Sequence, residues 1–143
     1  MVFAPVSGEC FAAERGAGAR LGERRIAVST IELAADALLC TGFKPSDYAR
    51  NAAQFRAASE RVQGVRRDGS AALDLAYVAC GRFDGFWEFD LAPWDVAAGT
   101  LLVREAGGRV SRVDGSAPRL DAGSILATNA RIHEEVSAVL VEG

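Results

Sequence analysis

Residues 70–80 read Ser-Ala-Ala-Leu-Asp-Leu-Ala-Tyr-Val-Ala-Cys, and Gly81 follows. Ser70 can cap a helix and Gly81 can end one, so the spacing predicts a helix over 70–80. Ala71, Ala72, Leu73, Leu75, Ala76, Val78, Ala79 and Cys80 make that helix apolar on nearly every side. A helix with so little polar surface must lie in the middle of a layered domain. The rest of the chain has to provide layers on both sides of it.

The first thirty residues suit one such layer. Val2–Val6, Cys10–Glu14, Gly18–Leu21 and Arg25–Val28 are short runs broken by Ser7-Gly8, Arg15-Gly16 and Gly22-Glu23. Short runs punctuated by glycine read as antiparallel hairpins. After residue 30 the pattern changes. Strands are expected at 36–42, 64–67, 83–89, 109–113 and 124–128. Helices are expected at 51–62, 70–80, 94–106 and 131–141. This alternation implies a layered α/β fold preceded by an antiparallel hairpin segment. The organisation read from it is a sheet layer at 1–30 and an α/β domain at 31–143.

Half of the 143 residues are hydrophobic and 24% are charged, the balance of a globular chain. A net charge of −3 argues against a nucleic-acid surface. No apolar run is long enough to span a membrane, and no signal peptide is expected. Cys10, Cys40 and Cys80 lie far apart with apolar neighbours and form no C-x-x-C. They read as reduced thiols of a cytoplasmic protein.

Three clusters can carry chemistry. Asp68-Gly69-Ser70-Ala71-Ala72 places a glycine before a helix start, where open backbone N–H groups can meet a ligand oxygen. Trp87-Glu88 ends a strand leading towards the third cluster, Trp94-Asp95. Pro93 precedes Asp95, and Gly107-Gly108 closes its helix. A first-turn acid such as Asp95 either caps its helix or holds a divalent cation, and both readings stand at this point. Trp94 reads as core or as a pocket wall. His133, the only histidine, reads as a surface residue on the polar side of the last helix, and Arg66-Arg67 as a solvated basic spot. With one histidine, a Ser-His-Asp or Cys-His mechanism has little to stand on.

Taken in order, the clusters resemble the C-terminal half of the inositol monophosphatase family. Residues 94–99 match its signature W-D-x-A-A-G, and 105–108 match the E-A-G-G that follows. Gly69-Ser70-Ala71-Ala72 is similar to its substrate-contacting helix start. Phe83-Asp84-Gly85-Phe86-Trp87-Glu88 is similar to its strand ending in a hydroxyl-binding Glu. Phe3–Val6 and Phe11–Ala19 resemble its central hairpin. The resemblance implies the layered αβαβα fold of the inositol monophosphatase and fructose-bisphosphatase type. It implies Mg²⁺ as cofactor with Asp95 as a ligand, Glu88 on a substrate hydroxyl, and Gly69, Ser70 and Ala71 lining the substrate. The implied reaction is hydrolysis of inositol 1-phosphate, and the implied partner is a small phosphorylated polyol. The family's habit also implies a homo-oligomer.

The family's first signature, D-P-[IL]-D-G-T, and its upstream Glu-Glu metal segment do not occur in this sequence. The chain is therefore expected to represent the second half of such an enzyme. It is expected to be a poor phosphatase alone, prone to self-association, and to need the missing half. A non-catalytic binding module and a related histidinol-phosphate phosphatase are the competing readings. An unrelated α/β protein in which Asp95 is only a cap is the third.

Overall fold

The computed structural model describes residues 1–43, 48–119 and 123–143, the side chain of Arg50 aside. Four strands come first: β1 (Val2–Ala4), β2 (Glu9–Glu14), β3 (Gly18–Leu21) and β4 (Arg24–Ile26). They form an antiparallel meander in that order, with Phe11 opposite both Val2 and Leu21. The expected hairpins are thus one four-stranded sheet.

The remaining elements are β5 (Leu38–Thr41), α1 (Tyr48–Ser59), β6 (Gly64–Arg66), α2 (Ala71–Ala79), β7 (Gly85–Phe89), α3 (Pro93–Glu105), β8 (Arg109–Ser111), β9 (Ser124–Thr128) and α4 (His133–Glu142). Their five strands form a second sheet in the order β6-β5-β7-β9-β8. β5 runs parallel to β6 and β7, and β9 runs antiparallel to β7 and β8. The strand expected at 36–42 is shorter, because Ala34–Asp36 form a 3₁₀ turn. The helix expected at 51–62 spans Tyr48–Ser59 instead.

Side-chain alternation assigns each face of the second sheet. Cys40, Phe86 and Ala127 point to one face and pack with α2, α3 and Val2, Phe11 and Ala19 of the first sheet. Leu39, Trp87 and Leu126 point to the other and pack with Ala58 of α1 and with Ile132, Val136 and Leu140 at α4. The layers therefore run sheet, α2/α3, sheet, α1/α4. The apolar helix occupies the middle, as its composition demands. No residue of α2 is exposed.

α2 and α3 approach closely because of Gly99. A Cβ there would lie 2.5 Å from Leu75 Cβ, inside van der Waals contact. At the end of α3, Gly107 takes a positive φ of 89°. Gly108 passes so near β9 that a Cβ would sit 2.6 Å from the Thr128 carbonyl oxygen. Glu105 reaches the first sheet, accepting the Gly16 N–H at 2.9 Å and the Gly18 N–H at 3.0 Å. Those two bonds hold its carboxyl below the usual carboxylate range. Asp84 accepts from Ser29 Oγ and from the Leu38 N–H, fastening the link between the sheets to the edge of β5.

His133 is not a surface residue. It is fully buried at the start of α4, between Ser111 Oγ at 2.8 Å and Thr128 Oγ1 at 2.9 Å. Ser111 Oγ donates to the Arg112 carbonyl at 2.5 Å, so it accepts from His133 Nε2–H. Thr128 Oγ1 then donates to Nδ1, and the ring is neutral. Burial, aided by the positive field of Arg109, lowers its pKa from 6.5 to about 4. A base with a depressed native pKa stabilises the fold above its unfolded pKa and loses that contribution as the pH falls. The stability advantage of the wild type over His133→Gln should therefore shrink between pH 6.5 and about pH 4, by on the order of 3 kcal/mol. Urea unfolding of both proteins across that range measures it, and a constant difference would refute the neutral buried ring.

Candidate functional site

The chain moves from β5 to β6 through α1, then back past β5 to β7 through α2. Right-handed crossovers in opposite directions put the two helices on opposite faces. The packing of α1 and α2 agrees. Where the order reverses, the carboxyl ends of the parallel strands leave a crevice. A cavity of about 330 Å³ opens there. Gly42 and Phe43 line it after β5, Arg67 and Gly69 after β6, and Glu88 and Leu91 at and beyond the end of β7. Ser70, Ala71 and Ala72 at the start of α2 and Asp95 at the start of α3 complete the wall.

The cavity thus brings together Gly69, Ser70, Ala71, Glu88 and Asp95, drawn from three elements. Trp94, in contrast, is 81% exposed and belongs neither to the core nor to the cavity wall. From the sequence, the loop between Thr41 and Asn51 is also expected to border the cleft; Gly42 and Phe43 do so, and 44–47 lie outside the described residues.

Gly69 takes a φ of +89°, which turns the chain into α2. Ser70 occupies the N-cap position, but its side chain makes no capping bond. The amide end of α2 therefore faces the cavity without a side-chain cap, and such an end favours oxygen-rich or anionic ligands.

Asp95 is the third residue of α3, and its Oδ2 accepts the Ala92 N–H at 3.0 Å. The acid is a cap. A carboxylate offers about four lone-pair sites, so one capping bond leaves acceptor capacity for a cation. Glu88 leans over Gly42. A Cβ on Gly42 would lie 2.6 Å from Glu88 Cδ, so only glycine leaves the carboxylate its place.

Arg67 is not merely solvated. It lines the cavity, donates to the Phe43 carbonyl at 2.8 Å and lies 4.5 Å from the Phe43 ring centre. Its place after a parallel strand was the signal that composition alone did not weigh. A second group was also missed. Cys40 Sγ and the carboxylates of Asp68 and Asp74 lie within 4.8 Å of one another, just behind the turn at Gly69. Burial raises Asp74 from 3.8 to about 7, and the neighbouring Asp68 charge adds to the rise. Burial, then the nearby Asp74 charge, raises Cys40 to about 12. An acid inside an otherwise apolar helix was the visible hint.

The model of the inositol monophosphatase family matches residues 1–142. An inositol-1-monophosphatase of Rhizobium meliloti is 46% identical over 143 residues, covering 98% of this chain and 54% of that protein. A Nus factor SuhB of Xylella fastidiosa is 43% identical over 150 residues, covering 99% and 54%. The structure of an inositol monophosphatase from Anabaena superposes with a TM-score of 0.93 at 44% identity, covering 98% of this chain and 57% of that one. The chain spans about half the length of the curated relatives it matches.

Replacing Gly42 with alanine should displace the Glu88 carboxylate while costing less than about 1 kcal/mol, because only the end of a flexible side chain must move. The Glu88 carboxyl carbon resonance in NMR spectra, read beside the melting curve, reports both. An unmoved resonance would show that Gly42 does not seat Glu88.

Proposed function

Because the chain belongs to the inositol monophosphatase family, we propose that its cavity serves a metal-assisted phosphomonoesterase acting on a small phosphorylated polyol, such as inositol 1-phosphate. The observation that carries this reading is the convergence of Glu88, Asp95 and the open end of α2 on one cavity.

In this reading Glu88 accepts a hydrogen bond from a ring hydroxyl and orients the polyol. The backbone at Gly69, Ser70 and Ala71 lines the ring, and the open N–H groups of α2 favour its oxygens. Asp95 holds Mg²⁺, to which it offers a hard carboxylate oxygen kept in place by the Ala92 N–H. When bound, Mg²⁺ supplies Lewis acidity, lowering the pKa of water and stabilising the leaving oxygen. Octahedral Mg²⁺ takes several oxygens, and the carboxylates lining the cavity are Glu88 and Asp95 alone among the described residues. These 143 residues by themselves then hold the cation weakly and turn over slowly.

A second reading is ligand binding without hydrolysis. The two carboxylates that line the cavity among the described residues, fewer oxygens than octahedral Mg²⁺ takes, favour it. Product formation separates the two.

Inositol 1-phosphate titrated into the whole chain with Mg²⁺ should perturb the amides of residues 69–71. Glu88→Gln should weaken binding about tenfold, the loss of one charge-assisted hydrogen bond. Asp95→Asn should remove the dependence on Mg²⁺. Phosphorus NMR should show slow hydrolysis. Fast turnover indifferent to Asp95→Asn, or perturbations confined to another face, would overturn the proposal.

A further inference from the structure

Cys40, Asp68 and Asp74 come from three separate pieces of backbone: the end of β5, the turn after β6 and the first turn of α2. Their ligating atoms lie within 4.8 Å of one another. Asp74 is 1% exposed, and neither of its carboxylate oxygens has a hydrogen-bond partner. A buried carboxylate without donors is strongly unfavourable and calls for a proton or a cation. None of the described ion pairs includes Asp74. Cys40 is fully buried beside it, and Asp68 is exposed, which gives the cluster an entrance from solvent.

We propose that Cys40, Asp68 and Asp74 form a binding site for one borderline divalent cation of the Zn²⁺ type, separate from the position of Asp95. A sulfur ligand selects such an ion over Mg²⁺, and two carboxylates complete three corners of a tetrahedron. The fourth corner is left to water. Bonds of about 2.0–2.3 Å hold tetrahedral ligands roughly 3.5 Å apart, so the ion draws the three groups inward. Exposed Asp68 supplies most of that movement. As the ion binds, the Cys40 thiol proton, and the Asp74 proton where that carboxyl carries one, pass to solvent, and nothing is oxidised or reduced. The bound ion ties the turn carrying Gly69 and Ser70 to β5 and α2, stiffening one wall of the cavity. The site rests on neither the family nor the assignment of the cavity.

Co²⁺ added to the whole chain tests it. One equivalent should bind and give the near-ultraviolet absorption of a cobalt–thiolate bond, and Zn²⁺ should displace it. Cys40→Ser should abolish the band. Asp68→Asn, at an exposed position, should weaken Co²⁺ binding at least about tenfold. Asp95→Asn should leave the band intact, because no sulfur lines the cavity among the described residues. A folded wild type without the band, or a band that survives Cys40→Ser, overturns the site. Should Cys40→Ser fail to fold, unchanged Co²⁺ affinity in Asp68→Asn overturns it equally.

Discussion

The close approach of α2 and α3 at Gly99 governs the rest of this structure. These two helices form the layer between the sheets, and their first residues carry Ser70, Ala71 and Asp95 to the cavity. Any side chain at Gly99 would press into Leu75 and push the helix starts apart. Burial around this contact supplies both sheets with their shared core, from Phe11 on one side to Phe86 on the other.

Seen this way, the stretch 94–108 has two jobs. Asp95 serves the cavity. Gly99, Glu105, Gly107 and Gly108 serve the architecture: close packing, a clamp on the β2–β3 turn, the helix end and a narrow pass over β9. Capping and cation binding are not exclusive at Asp95. The bond to the Ala92 N–H holds the carboxylate still, and a fixed carboxylate is the better cation ligand.

The sequence spoke clearly where one local pattern had one structural solution. The apolar run 71–80 could only be a middle-layer helix, and α2 is one. Glycine-broken runs before residue 30 could only be hairpins. The convergence of Gly69, Glu88 and Asp95 was legible through the family resemblance, since spacing in the chain does not report distance in space. His133 was misread because helical periodicity assumed a helix from 131, whereas α4 begins at His133 itself. Its partners Ser111 and Thr128 lie on strands that only the fold brings near. Glu105 reaches a turn 87 to 89 residues away, beyond any local pattern. Asp74 was the one buried group with a visible sign, an acid where every helical face was already apolar.

Unfolding of Gly99→Ala tests the central constraint most directly. At a free helical position this change stabilises a protein by up to about 1 kcal/mol, through helix propensity alone. Here the new methyl must force α2 and α3 apart, and overpacking of that kind costs about 1–3 kcal/mol. A net loss of stability in urea is expected. A variant as stable as the wild type, or more so, would show that the spacing of the middle layer does not depend on Gly99.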